Sequence, residues 1–448
     1  MAKVVKKLFF FFIIFLFINF QIISAKALEI IRDTELEEFT SEIINILLSS
    51  ENFDKEELKI YFINSKQVNA FVTGGKNIFI NTELVIDSNN YGEYAAVLAH
   101  ELAHIIGGHI FISSIEISNL NKKAFPIYLL GIMGIISGAD DAGVASVMVG
   151  QASVADGFTY YSRTQEAAAD QSAVKILCKN GIDAKHLIEF LEQLPDNKLN
   201  LNKKNNYRST HPLVKNRVIW INNAIEGLND CNFEIDKQFE KRFNLIKAKL
   251  HAFTHPYDET AAVYNKKNDN DLYASAVLDY LKGDHSDSIN NLEILINRNP
   301  NNPFYKELLG EIYFSKNNYE KAVYYQLEAI KELNNKNDIF YMMMGNYLLA
   351  FDDLEKQKES ISFLKKSIQI NPNNAYSWYL LARAYGEMNE IAKANYATAE
   401  RYYLIGERKL SYNFAQKAIE GIEKNSPEWY RTADLIEILK KEVSKNRE

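Results

Sequence analysis

Two histidines four residues apart, the first followed by a glutamate, form the stretch His100-Glu101-Leu102-Ala103-His104. On a helix, residues four apart share a face, so both imidazoles can reach one metal ion. Glu101 then stands beside the ion, placed to take a proton from bound water. Alanines and apolar residues over 95–99, with Ile105-Ile106 after the motif, make this helix apolar, a poor place for bare histidines. The pattern predicts a catalytic zinc, one per chain, which needs a third protein ligand and an open fourth position for water.

The third ligand has two candidate sources. In the metzincin pattern H-E-x-x-H-x-x-G-x-x-H, Gly107 fits, but the last position is Ile110 and His109 comes one residue early. That assignment is rejected, and His109 is expected beside the site or at the surface. Further on, Glu166 and Asp170 stand i and i+4 with Ala167-Ala168-Ala169 between them. Small residues there allow close packing against the first helix. One carboxylate to bind the ion and a second to hydrogen-bond a ligating imidazole are what such a site requires.

The elements that must position these groups follow from periodicity. Residues 33–49 place Leu36, Phe39, Ile43, Ile44 and Leu47 at helical spacing. Residues 59–64 and Ala70-Phe71-Val72 read as strands, and Gly74-Gly75-Lys76-Asn77 as a turn into Ile78-Phe79-Ile80. Helices are expected over 91–109 and 164–177, with a polar loop over 195–210. Residues 126–155 are apolar and rich in Gly and Ala, and each half is too short to span a bilayer. They read as two short buried helices or as a surface able to meet a membrane.

The last third repeats. Ala276, Gly310, Gly345 and Ala382 align with steps of 34, 35 and 37 residues, and Asn299-Pro300-Asn301-Asn302 matches Asn371-Pro372-Asn373-Asn374. Small residues let two antiparallel helices approach, and proline ends the second. Four tetratricopeptide (TPR) units over about 269–409 and a closing helix pair are predicted, with an insertion near 352–358. The expected fold is mainly α: a zincin-like α+β domain with a small sheet over 28–260, then an all-α TPR solenoid over 261–448.

Lys3, Lys6 and Lys7, an apolar run over 8–23 and Ser24-Ala25-Lys26-Ala27 read as a secretory leader, residues 1–27, cut near Ala27. Export places the chain where disulfides form. Cys178 and Cys231 can pair or stay as two buried thiols, and the sequence leaves both open. A formal charge of −7 argues against a nucleic-acid partner.

Taken together, His100 to His104 and Glu166 to Asp170 resemble the forty-eighth metallopeptidase family, relatives of HtpX and the CAAX prenyl proteases. Asn69-Ala70-Phe71-Val72-Thr73-Gly74-Gly75 and Ser209-Thr210-His211-Pro212 with Arg217 resemble further segments of that family. The leader and the repeats resemble its BepA-type branch. The resemblance implies His100, His104 and Glu166 as zinc ligands, Glu101 as general base and Asp170 as a supporting carboxylate. It also implies that His211 can take the fourth zinc position and hold the enzyme closed. For Arg217 the resemblance implies stabilising an oxyanion or anchoring that loop, with a surface arginine as the alternative. Its implied function is a periplasmic endopeptidase acting on misfolded or stalled outer-membrane proteins, with the TPR array recruiting substrates or assembly machinery. The competing expectation is a TPR-based chaperone or assembly factor in which proteolysis is secondary.

Overall fold

The computed structural model describes residues 29–51, 53, 58–73, 76–108, 163–194, 211, 217–228, 230–265, 268–334 and 337–445. The leader, Gly74 and Gly75, His109, the apolar stretch 126–155 and the polar stretch 195–210 lie outside them.

The sheet has four strands: β1 (Ile30–Ile31), β2 (Lys59–Ile63), β3 (Ala70–Thr73) and β4 (Asn77–Asn81), in the order β1-β2-β4-β3. β2 and β4 run parallel, with Phe62 opposite Ile80; β3 and β4 form an antiparallel pair, with Phe71 opposite Phe79. Side chains alternate across the sheet. Phe62, Ala70, Val72, Ile78 and Ile80 join the main core. On the other face Phe79 stacks between Tyr61 and Phe71, each ring 5.1 Å away.

Helix α1 (Thr34–Leu47) and the short α2 (Thr82–Asp87) flank the sheet, and α3 (Tyr91–Ile106) passes through the middle of the core. Asn90 caps α3 by accepting from the Glu93 amide at 2.9 Å. Where the periodicity predicted helix to residue 109, α3 stops at Ile106, because Gly107 and Gly108 follow and Gly108 has φ +62°. Two further helices, α4 (Arg163–Lys179) and α5 (Lys185–Gln193), pack against α3. Next comes α6 (Arg217–Glu226), and a disulfide joins Cys178 at the end of α4 to Cys231 just beyond α6. Both cysteines are buried and paired, so of the two alternatives left open by the sequence the structure takes the disulfide and not the pair of thiols.

One helix, α7 (Lys237–Thr254), belongs to two cores. Its Phe243, Ile246 and Leu250 enter the core around α3, while Leu245, Ala248 and Ala252 enter the first core of the solenoid. After the short α8 (Tyr257–Val263), helices pair as α9 (Asp269–Lys282) with α10 (His285–Arg298), and α11 (Pro303–Ser315) with α12 (Tyr319–Glu332). The next pairs are α13 (Asp338–Leu348) with α14 (Leu354–Ile370), and α15 (Ala375–Glu387) with α16 (Ile391–Leu404). Helices α17 (Arg408–Ile419) and α18 (Pro427–Lys445) close the array.

The aligned small residues sit where helices of a pair touch. A Cβ on Gly345 would lie 2.5 Å from the Leu364 side chain, and one on Gly310 3.3 Å from the Ala322 carbonyl. At Ala276 the carbonyl accepts from the Ser288 hydroxyl at 2.6 Å. The insertion in the third repeat lengthens a helix: α14 has 17 residues where α10, α12 and α16 have 14. No described helix is long and apolar enough to cross a membrane.

Candidate metal centre

Helix α3 presents His100, Glu101 and His104, all fully buried, and α4 crosses it with Glu166 and Asp170. Ala169 and Ala173 on α4 are buried at the crossing, which explains why the approach is close. His211 reaches the same point from the segment before α6, and Arg217 opens α6 itself.

The donor atoms converge. His100 Nε2 and His104 Nε2 lie 3.1 Å apart, and His211 Nδ1 lies 3.4 Å from His100 Nε2. Glu166 Oε1 is 3.0 Å from His211 Nδ1 and 3.3 Å from His104 Nε2. Ligand atoms of His100, His104, Glu166 and His211 all lie within 4.8 Å of one another, so this buried group can hold one metal ion. The donor chemistry fits as well. His211 Nε2 lies 3.3 Å from the Ala70 carbonyl, which can only accept. In the neutral ring that nitrogen therefore carries the proton, and Nδ1 turns a lone pair toward the Glu166 carboxylate. Two electron-pair donors held 3.0 Å apart suit a cation between them.

A second set of contacts orients these groups. Asp170 Oδ1 is 3.0 Å from His100 Nδ1. Arg217, 1% exposed, donates to both oxygens of Asp170 at 2.7 and 2.6 Å, and its Nη1 lies 2.9 Å from Glu166 Oε2. The arginine thus ties the two α4 carboxylates together.

The electrostatics follow from burial plus these partners. Burial opposes charge on His100, yet its hydrogen bonds to Asp170 and Glu166 hold its pKa up at about 9. On His104 burial prevails and pulls the pKa down to about 3. Burial also works against ionised Glu166 and Asp170, but His211 and His100 with His104 keep Glu166 low, and His100 with Arg217 keep Asp170 low. Glu101 is pushed up by its burial. Neither Glu101 oxygen has a hydrogen bond among the described residues; His211 Nε2 stands 3.3 Å from Oε1. A buried carboxylate of raised basicity beside a metal-binding group is suited to accept a proton.

All seven residues singled out from the sequence therefore meet at one place. The sequence reading missed the Ala70 carbonyl, whose only signal was its strand beside the motif. His186 packs on Gly92 and contacts Glu189, and His251 stacks on His255 at 4.0 Å, away from the centre.

Residues 31–225 match Peptidase family M48, and residues 343–374 and 363–400 match tetratricopeptide repeats. Residues 31–225 thus form a Peptidase family M48 domain, and the chain is a metalloendopeptidase carrying TPR repeats. It is similar to the beta-barrel assembly-enhancing protease of Escherichia coli (strain K12), at 22% identity over 419 residues, 92% of this chain and 84% of that one. The putative beta-barrel assembly-enhancing protease of Vibrio cholerae is 25% identical over 409 residues, 89% of this chain and 82% of its own. Among solved structures, MamA aligns over 38% of this chain and 96% of its own, with 19% identity and a TM-score of 0.29.

Proposed function

We propose that the chain is a zinc endopeptidase of the bacterial envelope, with His100, His104 and Glu166 as ligands and Glu101 as general base. The observation that carries this reading is the spacing of the donors, 3.0–3.4 Å between neighbouring atoms. Ligand atoms around a tetrahedral zinc stand about 3.3 Å apart, given bonds of about 2.0–2.1 Å. When bound, zinc lowers the pKa of its water and polarises the scissile carbonyl. Glu101 takes the proton from the attacking water and passes it to the leaving amine. Asp170 fixes the ring of His100 so that Nε2 faces the ion, and Arg217 holds Glu166 and Asp170 in register.

His211 closes the site in this reading. Its Nδ1 fills the fourth donor position while its Nε2 contacts both Glu101 and the Ala70 carbonyl. Ala70 belongs to β3, the terminal strand of the sheet, onto which an extended substrate can add as a further strand. Withdrawal of His211 thus opens the water position, the base and the strand edge at once.

The relatives' name, beta-barrel assembly-enhancing protease, supports periplasmic location and action on misfolded or stalled outer-membrane proteins, with the repeats as the recruiting surface. The leader over 1–27 and a domain change near residue 260 belong to the same proposal. The closed position of His211 favours a second reading, an assembly factor in which proteolysis is secondary.

Bound zinc and cleavage of an unfolded protein, measured on wild type, Glu101→Gln and His211→Ala, test the reading. About one zinc per chain is expected, with activity lost in the first variant and raised in the second. Carefully handled wild type without zinc overturns it. If Glu101→Gln keeps the cellular function while removal of residues 269–448 abolishes it, the assembly-factor reading stands.

A further inference from the structure

Helix α6 is held against α4 at two points, one on each side of its exposed middle. At its start, Arg217 donates to both oxygens of Asp170 at 2.7 and 2.6 Å and reaches Glu166 at 2.9 Å. Beyond its end, the Cys178–Cys231 disulfide joins the last turn of α4 to the stretch that leads into α7. The two helices therefore run side by side in the same direction. Charge pins them at one end and a covalent bond at the other.

Little else fixes α6. Among its 10 residues Arg217 and Ile221 alone are buried, while Val218, Ala224 and Ile225 pack partly on the core. Ile219 is 57% exposed and Trp220 39%. A groove of about 610 Å³ parts the two helices, with Ala167, Gln171 and Val174 on one side and Trp220, Ala224 and Gly227 on the other. A helix this short does not hold its place without tertiary contacts. Among the described residues, no hydrogen bond ties residues 230–235 to the rest of the chain. Leu228 and Ile235 give that stretch apolar contact, and the disulfide gives it a fixed position.

The pin at the start of α6 belongs to the metal centre. Arg217 holds Glu166 and Asp170, and Asp170 in turn meets Nδ1 of His100 at 3.0 Å. A guanidinium bound through two nitrogens tolerates little displacement, because turning its helix strains both bonds at once. Freed at its far end, α6 can pivot about Ile221 and draw Arg217 out of register. We propose that Cys178 and Cys231 are a positioning pair for the metal centre. Their bond fixes α6, and through Arg217 it sets how tightly the chain holds its metal. This rests on the zinc reading of the site.

The experiment compares the full chain with the bond intact, opened by a phosphine reductant, and closed again by oxidised glutathione. Competition with a chromophoric chelator, after the reductant is removed, reads zinc affinity. Opening the bond is expected to weaken zinc binding about tenfold, and closing it to restore the original value. Cys178→Ala with Cys231→Ala, which leaves no thiols to take zinc themselves, is expected to match the opened chain. In Arg217→Met, opening the bond is expected to change affinity by no more than about twofold, because the link is already cut. Hydrogen exchange of the zinc-free chain reads the position of α6 directly. Its amides are expected to exchange about tenfold faster once the bond is open, with α3 unchanged. A bond that serves stability alone lowers the melting temperature and leaves both zinc affinity and the α6 rates where they were, and that result overturns the inference. So does an equal loss of affinity in Arg217→Met. Should Arg217→Met not fold, wild type and the alanine pair still decide, since affinity and α6 exchange must move together. In each of these failures the oxidised chain still binds about one zinc, whereas failure of the zinc reading leaves no zinc to lose.

Discussion

Asp170 places a carboxylate oxygen 3.0 Å from Nδ1 of His100, on the side of the ring away from the other donors. In the proposed zinc site that contact would set which nitrogen of His100 carries a proton and which faces the ion. Asp170→Asn keeps the shape and removes the charge. Its affinity for zinc is expected to fall by about 10–100-fold, with turnover largely restored at saturating zinc. Competition with a chromophoric chelator reads the affinity, and unchanged affinity rules out the orienting role.

Arg217 is buried, and so are both carboxylates it touches. Arg217→Met leaves Glu166 and Asp170 facing each other without their cation. A loss of about 3–5 kcal/mol in unfolding free energy is expected. Adding Asp170→Asn to Arg217→Met is expected to recover part of that loss, a coupling that a urea-denaturation cycle measures. Strict additivity of the two would show that they do not act as a pair.

What was readable in the sequence divides along physical lines. His100, Glu101 and His104 sit within one turn of one helix, and Glu166 and Asp170 within one turn of another, so spacing alone exposed them. His211 and Arg217 precede or open α6 with no periodic pattern of their own, and only resemblance to a family pointed to them. The Ala70 contact uses a backbone oxygen, which no residue type advertises. The repeats were legible because Gly345 and its counterparts recur at a fixed step for a steric reason. By contrast, α7 went unread because it is apolar on two faces, serving two cores, so neither face stands out. The buried charges around Lys249 draw on residues 33, 35, 249, 307 and 311, a set that only folding assembles.

The steric role of the repeat glycines makes a paired prediction. Gly345→Ala drives a methyl to 2.5 Å from Leu364, which must shift. A loss of about 1–3 kcal/mol is expected, with bound zinc unchanged because the change lies in the solenoid. Gly386, in α15, has open space where its Cβ would go. Gly386→Ala is therefore expected to be neutral or to stabilise by up to about 1 kcal/mol through helix propensity. Thermal melts of both variants decide the matter, and equal effects would mean that the contact with Leu364 is relieved without cost.

Glu307 gives the solenoid a pH dependence whose sign can be worked out. Its pKa in the folded chain, about 8, lies above the ordinary 4.5, because burial and Glu311 disfavour its charge. The folded state therefore binds this proton more tightly than the unfolded state. The stabilisation is fully present below about pH 4.5 and is lost as pH rises through about 8. Glu307→Gln removes the group that must ionise, so the variant is expected to gain stability over wild type toward pH 9 and to show a flatter profile between pH 5 and 8. Urea midpoints across that range measure it in the full chain. A wild-type profile as flat as that of Glu307→Gln would mean that water already solvates this carboxylate and that burial does not raise it.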